Sequence, residues 1–276
     1  MQIHPTAIIH SSALIHADAI VGPYCIIEKG AILDAGVHLV SHVYVDALTH
    51  LKENVQVHPF ASIGTPPQHW GYNQEETSLT VGRNTQIREH VTIHRGTLQG
   101  GGKTSIGEAC MIMVGCHVGH DGRIGDRVTM ANNVVLGGHV EIENDVVFGG
   151  MVAVHQMTSV GRGAMIAGGS ALGGHVMPYT TAMGNRATLV GLNLHRLKKQ
   201  NVPSEAIHAL RALYQYLFVN NGHTSIDFRL YNPPQNLTCY SVVQEALEFL
   251  KTRNKTRPLC FPQKETATQS PTRVEL

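Results

Sequence analysis

Val118-Gly119-His120-Asp121-Gly122-Arg123-Ile124-Gly125-Asp126-Arg127-Val128-Thr129-Met130-Ala131-Asn132-Asn133-Val134-Val135-Leu136 carries an apolar residue at every sixth position: Val118, Ile124, Met130 and Leu136. The step runs on through Ile142, Phe148, Val154, Val160, Ile166 and Leu172, and back through Ile112 to Ile106. One residue out of phase it recurs at Ile93, Ile87 and Val81, then at Ile63, Val57, Leu51, Val45, Leu39, Leu33, Ile27, Val21, Ile15, Ile9 and Ile3. Four places after these positions a small or β-branched residue returns, as at Ala7, Ala13, Cys25, Val128, Val134 and Val146. Such self-similarity is the mark of a repeat architecture. Each hexad reads as a short strand with its apolar residue inward. A corner of Gly, Asn or Asp follows, where a positive φ is often required. Three hexads close a triangular coil of about 18 residues, and stacked coils, about 4.8 Å apart, make a parallel β-helix. A β-sandwich would show strands of varied length and period two instead.

Two segments interrupt the repeat. Residues 65–79 form a polar loop with Pro66-Pro67, the single Trp70 and Tyr72. Ile63 and Val81 are 18 residues apart, so this loop is expected to take the place of one coil. Residues 99–104 contain Gly100-Gly101-Gly102. Loops leaving a rigid solenoid tend to carry function. The repeat ends near Pro178. The expected organisation is a β-helix over 1–183, a small helical domain over 184–253 and a loose tail over 254–276. Ser204 is expected to cap a helix bearing Ile207, Leu210, Leu213 and Leu217 and ended by Gly222; Ser241 and Gln244 read as a capping box for a second.

Composition narrows the function. The chain has 276 residues, 42% hydrophobic and 15% charged, with a net charge of +1. Such low charge excludes a coiled coil and a charge-driven disordered chain. The balance of 21 Lys+Arg against 20 Asp+Glu gives no footprint for nucleic acid. No apolar run is long enough to span a membrane, and Met1-Gln2-Ile3-His4-Pro5 does not read as a secretory leader. Five scattered cysteines read as reduced thiols, so a cytoplasmic location is expected.

The 18 histidines and 28 glycines concentrate the chemistry. At 18 residues per coil, His120 stacks over Gly138 and Gln156, Asp121 over His139, and Gly119 over Gly137 and His155. His117, His120, Asp121, Gly138, His139, His155 and Gln156 therefore crowd one edge, which the glycines are expected to leave bare. Three readings stand side by side: solvated corner histidines; a zinc site, since imidazoles are good ligands; and general-base catalysis. In the last, an adjacent Asp sets the tautomer of His120, and the Gly138 N–H receives an oxyanion. No Ser or Cys adjoins His120, so direct transfer is favoured over an acyl-enzyme.

Further motifs carry a resemblance: Thr92-Ile93-His94-Arg95-Gly96-Thr97-Leu98-Gln99-Gly100-Gly101-Gly102, Cys116-His117-Val118-Gly119-His120-Asp121, Gly138-His139-Val140, Ala153-Val154-His155-Gln156 and Gly184-Asn185-Arg186-Ala187-Thr188. With these the chain resembles the hexapeptide-repeat UDP-N-acetylglucosamine O-acyltransferases of lipid A synthesis, over roughly residues 3–220. The resemblance implies a left-handed coil and a homotrimer with sites between subunits. It implies transfer of an (R)-3-hydroxyacyl chain from acyl carrier protein to the sugar's 3-hydroxyl, with no cofactor and no metal. His120 matches the general base, Asp121 its partner and Gly138 the oxyanion donor. Substrate contacts fall on Gln68, His69, His94, His117, His139, His155, Gln156 and Arg186. Asn193 and Lys199 match the nucleotide end, and Gly168 matches the acyl-length position. The chain departs from the pattern at His69, where the family has an acid, at Gly71, where it has Lys, and at His195 and Gln200. The diphosphate is therefore expected to lean on Lys199, with Arg186 or His69. Transfer to a 3-amino sugar, and a zinc hydratase resembling carbonic anhydrase, are the alternative activities.

Overall fold

The computed structural model describes residues 2–219, 226–253 and 255–262. It is a left-handed parallel β-helix followed by a helical C-terminal part. Three sheets form the faces of a triangular prism. The first begins at Gln2–Ile3, the second at Ile8–Ile9 and the third at Leu14–Ile15. Most strands are two residues long, because the chain turns a corner every sixth residue. In each coil the repeated apolar residue points inward: Ile27, Leu39, Ile63, Ile93, Val118, Leu136 and Phe148 are all fully buried. Only the first coil breaks this rule. Ile3 is exposed, with no coil above it.

Most corners hold a left-handed residue three places after the inward one; glycine fills some of them, as at Gly30, Gly36 and Gly115, but most are filled by other residues. Asn54, Asn84, Asp121, Asn133, His139 and Asp145 all have φ between 51° and 65°, as do the less expected Tyr24, His42 and Phe60. Asn and Asp tolerate this conformation through local hydrogen bonding. At the corner after the first sheet the rings of Tyr24, His42, Phe60 and His90 stack one on the next, with centroids 4.9, 5.1 and 5.2 Å apart.

Register follows the 18-residue step wherever the repeat is unbroken: Val118 pairs with Leu136, and Leu136 with Val154. The first interruption differs from expectation. Leu51 pairs with Val81 and Ile63 with Ile93, both 30 residues apart. The loop is thus a twelve-residue excursion between Ser62–Thr65 and Ser78–Val81, and not a coil of its own. Being a multiple of six, it leaves the hexad phase unmarked. The second interruption is visible in phase, since Ile93 pairs with Val118 at a spacing of 25.

Beyond the coils, Thr180–Met183 and Thr188–Leu192 form an antiparallel hairpin, followed by the helices Leu194–Lys199, Ser204–Tyr214, Ile226–Tyr231 and Ser241–Thr252. The expected caps are corrected. Ser204 and Ser241 are already the first helical residues, preceded by Pro203 and Tyr240, and neither helix has a side-chain cap. Gln244 reaches back instead to the carbonyl of Thr238. Gly222 lies outside the described residues. The tail is also corrected at its start. His175 bridges Leu259, Leu189 bridges Pro262, and Leu259 and Cys260 are buried, so this segment packs on the last coil. Residues 263–276 lie outside the described residues.

Candidate active site

The corner after the second sheet gathers the titratable side chains. His117–Val118 leads into Gly119-His120-Asp121-Gly122, and Val135–Leu136 leads into Gly137-Gly138-His139 one coil on. His120 Nδ1 lies 2.7 Å from Asp121 Oδ2. A carboxylate only accepts, so Nδ1 carries the proton and Nε2 presents its lone pair. Asp121 is almost wholly buried. Burial pushes its carboxyl up, but hydrogen bonds from His120 and from Thr97 outweigh this and hold it below the ordinary carboxylate range. Asp121 therefore stays ionised behind His120.

Gly138 lies directly under the His120 ring. A Cβ there would stand 2.8 Å from both Cε1 and Nε2 of the imidazole. The edge is therefore not bare as expected: the room left by the missing side chain holds the base, and Gly138 is buried. Its N–H has no acceptor among the described residues. It is thus a donor left unused beside the free Nε2.

Around the pair stand further imidazoles. The His139 ring meets the His120 ring edge-on at 5.0 Å, and His139 Nε2 is 3.7 Å from Asp121. Burial holds His139 below the usual histidine range, against the pull of Asp121. The 66–77 excursion brings His69 to 5.4 Å from His120, ring to ring. His69 Nδ1 accepts the Gly71 N–H, so in the neutral ring Nε2 carries the proton and acts as a donor. Arg95 anchors this loop. Its Nε donates to Tyr72 OH at 3.1 Å, and its Nη1 faces Asp46 at 3.7 Å.

On the coil above, His94 Nδ1 donates to the Pro66 carbonyl; His117, on the coil of His120, bonds the Thr92 hydroxyl of that upper coil through Nδ1 at 2.9 Å. Burial drives the His117 pKa down to about 4, helped by His94, and burial likewise lowers His94. Both are neutral hydrogen-bonding groups at neutral pH. Cys116, the sequence-adjacent thiol, is buried, bonds the Ala131 carbonyl and is pushed up by burial, so it offers no nucleophile.

Not every expected site residue joins this corner within one chain. His155 and Gln156 lie on it and are exposed, and Arg257 reaches them from the C-terminal segment. Its Nε donates to the Gln156 carbonyl and its Nη2 sits 3.4 Å from His155 Nε2. Arg186 and Arg257 line one cavity of about 470 Å³ with His155. Gln68 is exposed on the loop. Gly168 follows Ile166 and so lies at the corner after the first sheet, next to Gly150. Asn193 caps the Leu194–Lys199 helix and donates to Gly163 O at the corner after the third sheet; Lys199 ends that helix. At about 3.3 Å per residue, a six-residue side separates corners by up to about 20 Å. Thr97, Thr104 and Arg257 were not expected at the site. Their contacts depend on how the inserted turn folds and on the docked tail; the phase shift marks the insertion but not the contacts it makes.

His120, Asp121 and His139 offer three ligand atoms within 4.8 Å of one another. Their chemistry fits a metal poorly. Asp121 Oδ2, the oxygen nearest His139, already accepts from the Thr97 hydroxyl and from the Nδ1–H of His120, and Oδ1 accepts the Thr97 N–H, so a cation would have to compete with these bonds.

Comparison with known proteins places the chain in a family. The acyl-[acyl-carrier-protein]–UDP-N-acetylglucosamine O-acyltransferase of Caulobacter vibrioides is 46% identical over 265 residues, 96% of this chain and all of the relative. This chain belongs to the UDP-N-acetylglucosamine O-acyltransferase family. The family model for domain 2 matches residues 176–260, which span the end of the coils, the helices and the docked C-terminal segment. The Moraxella catarrhalis UDP-N-acetylglucosamine O-acyltransferase structure superposes with a TM-score of 0.88 at 35% identity, covering 94% of this chain and 99% of that one. The Francisella novicida UDP-N-acetylglucosamine acyltransferase gives 0.89 at 30%, covering 94% of each. Membership thus extends through both the coils that form the corner and the helices that follow them.

Proposed function

We propose that this chain moves an (R)-3-hydroxyacyl group from acyl carrier protein to the 3-hydroxyl of UDP-N-acetylglucosamine. The carrying observation is the His120–Asp121 pair set over Gly138 in a full-length member of this family. Asp121 holds the Nδ1 proton, so His120 Nε2 takes the proton of the sugar hydroxyl as its oxygen attacks the thioester carbonyl. Charge gathers on the carbonyl oxygen, and the unused Gly138 N–H is the donor for it. The tetrahedral species collapses to the ester, and the imidazolium returns its proton to the leaving thiolate. With Cys116 inert and no other nucleophile at His120, transfer is direct. His94, His117, His139, His155 and Gln156 line the acceptor and acyl sites as polar contacts.

The residues at the other corners fit an assembly of copies. Gly168, Asn193 and Lys199 stand at other corners than His120, so one complete site draws them from a neighbouring copy of a homotrimer. His69 presents a donor where the family has an acid. It suits a phosphate or hydroxyl oxygen, with Lys199 and Arg186 as the cationic groups for the diphosphate. No helix among the described residues is long and apolar enough to cross a membrane, in keeping with a cytoplasmic enzyme.

The test is product analysis. Purified protein, hydroxyacyl carrier proteins of several chain lengths and UDP-N-acetylglucosamine should yield the 3-O-ester, while light scattering shows a trimer. Turnover only with the 3-amino analogue would replace the O-acyl reading with the N-acyl one. A stable, active monomer would remove the shared site.

A further inference from the structure

The phase-breaking insertion ends on Asp121. Seven extra residues separate Ile93 from Val118, beyond the 18 of a plain coil, and they fold into a short 3-10 turn, Leu98–Gly100, capped by Thr97. The Thr97 N–H donates to Asp121 Oδ1 at 2.8 Å, and its hydroxyl donates to Oδ2 at 2.7 Å. The direction of the second bond is fixed. Thr97 Oγ1 already accepts the Gly100 N–H at 3.1 Å, so its own proton points at the carboxylate. Gly100 closes the remaining side, where a Cβ would lie 2.0 Å from the Asp121 carboxyl carbon. From the preceding coil the Thr104 hydroxyl accepts the Asp121 N–H at 2.8 Å. Thr97, Asp121 and Thr104 are all buried. With both oxygens held, the carboxylate cannot rotate, and the only donor it shares with the reaction is His120 Nδ1.

We propose that Thr97 is a positioning residue for acyl transfer: acting through the Asp121 carboxylate, it fixes the orientation of the His120 ring, and the seven-residue insertion serves to deliver it. The inference rests on the reading of His120 as general base. The insertion shifts the repeat by one residue, a cost in regularity that a plain corner would avoid, and its buried turn contacts the carboxylate with two donors. Without them Oδ2 would turn freely and the imidazole with it, and misplacement by about an ångström lowers rates by about a hundredfold.

The test uses Thr97→Val, which removes the hydroxyl and keeps the shape, with Thr97→Ser as the conservative variant, each also made in an Asp121→Ala background. Hydrogen bonds to charged groups are among the stronger ones, so Thr97→Val should lower kcat by roughly tenfold or more. The KM for UDP-N-acetylglucosamine should stay within about twofold, and Thr97→Ser should restore most of the rate. The acid limb of the kcat/KM profile should move to higher pH, because a carboxylate with one donor fewer holds the imidazolium more strongly. The other titratable groups facing the pair, His139, His69 and His94, are untouched by the change. The deciding result is coupling. In the Asp121→Ala background Thr97→Val should cost less than about twofold, whereas a residue that only braces the loop would multiply its effect with that of Asp121→Ala. Multiplying effects, or an unshifted profile with a raised KM, overturns the proposal. Should Thr97→Val fail to fold, Thr97→Cys, a weak donor at the same place, carries the same expectations. If His120→Ala is as active as the parent protein, the base reading itself is at fault; if His120 is essential and Thr97→Val is silent, only this inference falls.

Discussion

Gly138→Ala turns the geometry under His120 into a rate. The added methyl would stand 2.8 Å from Cε1 and Nε2 of the ring and 3.3 Å from Cδ2. Ordinary carbon contacts begin near 3.5 Å, so the imidazole must retreat by about 0.7 Å or tilt. It is tethered on its far side by the 2.7 Å bond to Asp121, whose carboxylate is itself held by Thr97. Retreat therefore breaks or bends that bond. A displacement of this size costs on the order of a hundredfold when the displaced group is the base. The backbone itself tolerates the change, since Gly138 is not among the left-handed residues. The expected result is kcat lowered by about a hundredfold with a melting temperature within a few degrees of the parent protein. Gly150→Ala, whose methyl would meet only the Asn132 carbonyl at 3.4 Å, is the matched control and should keep full activity. Steady-state turnover with hydroxyacyl carrier protein, beside a thermal melt, reads both. A fully active Gly138→Ala protein would refute the placement of His120 over this glycine.

His117 makes stability depend on pH. Its pKa is near 4 in the fold and about 6.5 unfolded, so the unfolded chain binds a proton first as pH falls. Its contribution is complete above about pH 6.5 and is lost as pH drops toward 4; His117→Gln should flatten the melting curve across that window, and an unchanged slope would count against a buried neutral ring. Lys199→Ala should weaken UDP-N-acetylglucosamine binding in calorimetric titration, and Gly71→Lys should strengthen it modestly. If neither moves Kd beyond error, the shifted diphosphate contacts are wrong. Dialysis against EDTA should leave turnover unchanged because both Asp121 oxygens are already engaged, and loss of activity restored by zinc would revive the metal reading.

The coil was legible because its physics is local: one inward residue per hexad and one left-handed corner leave a periodic trace. That trace also located the stacking of His120 on Gly138 and of Asp121 on His139, since register in unbroken coils is the period itself. Where chain is inserted the trace fails. The twelve residues of the 66–77 excursion are a multiple of six and disguise a 30-residue coil as an ordinary one. The clamp of Thr97 on Asp121 was hidden because the phase shift marks the insertion but not the contacts it makes, although Thr97 lies within the motif that carried the resemblance. The helix caps misled because Ser204 and Ser241 sit one residue inside their helices, where a hydroxyl no longer meets a free N–H. The C-terminal segment looked loose by composition, yet Leu259 and Cys260 find a buried place against His175 and Gly174 that only the assembled coil provides.

The account stands on one side chain taking one proton. His120→Ala, assayed with hydroxyacyl carrier protein and UDP-N-acetylglucosamine beside calorimetric binding of the nucleotide sugar, isolates that step. A positioned base contributes about 10²–10⁴-fold, so turnover should fall by at least a hundredfold while nucleotide affinity stays within about threefold. Turnover matching the parent protein in the folded variant would contradict it.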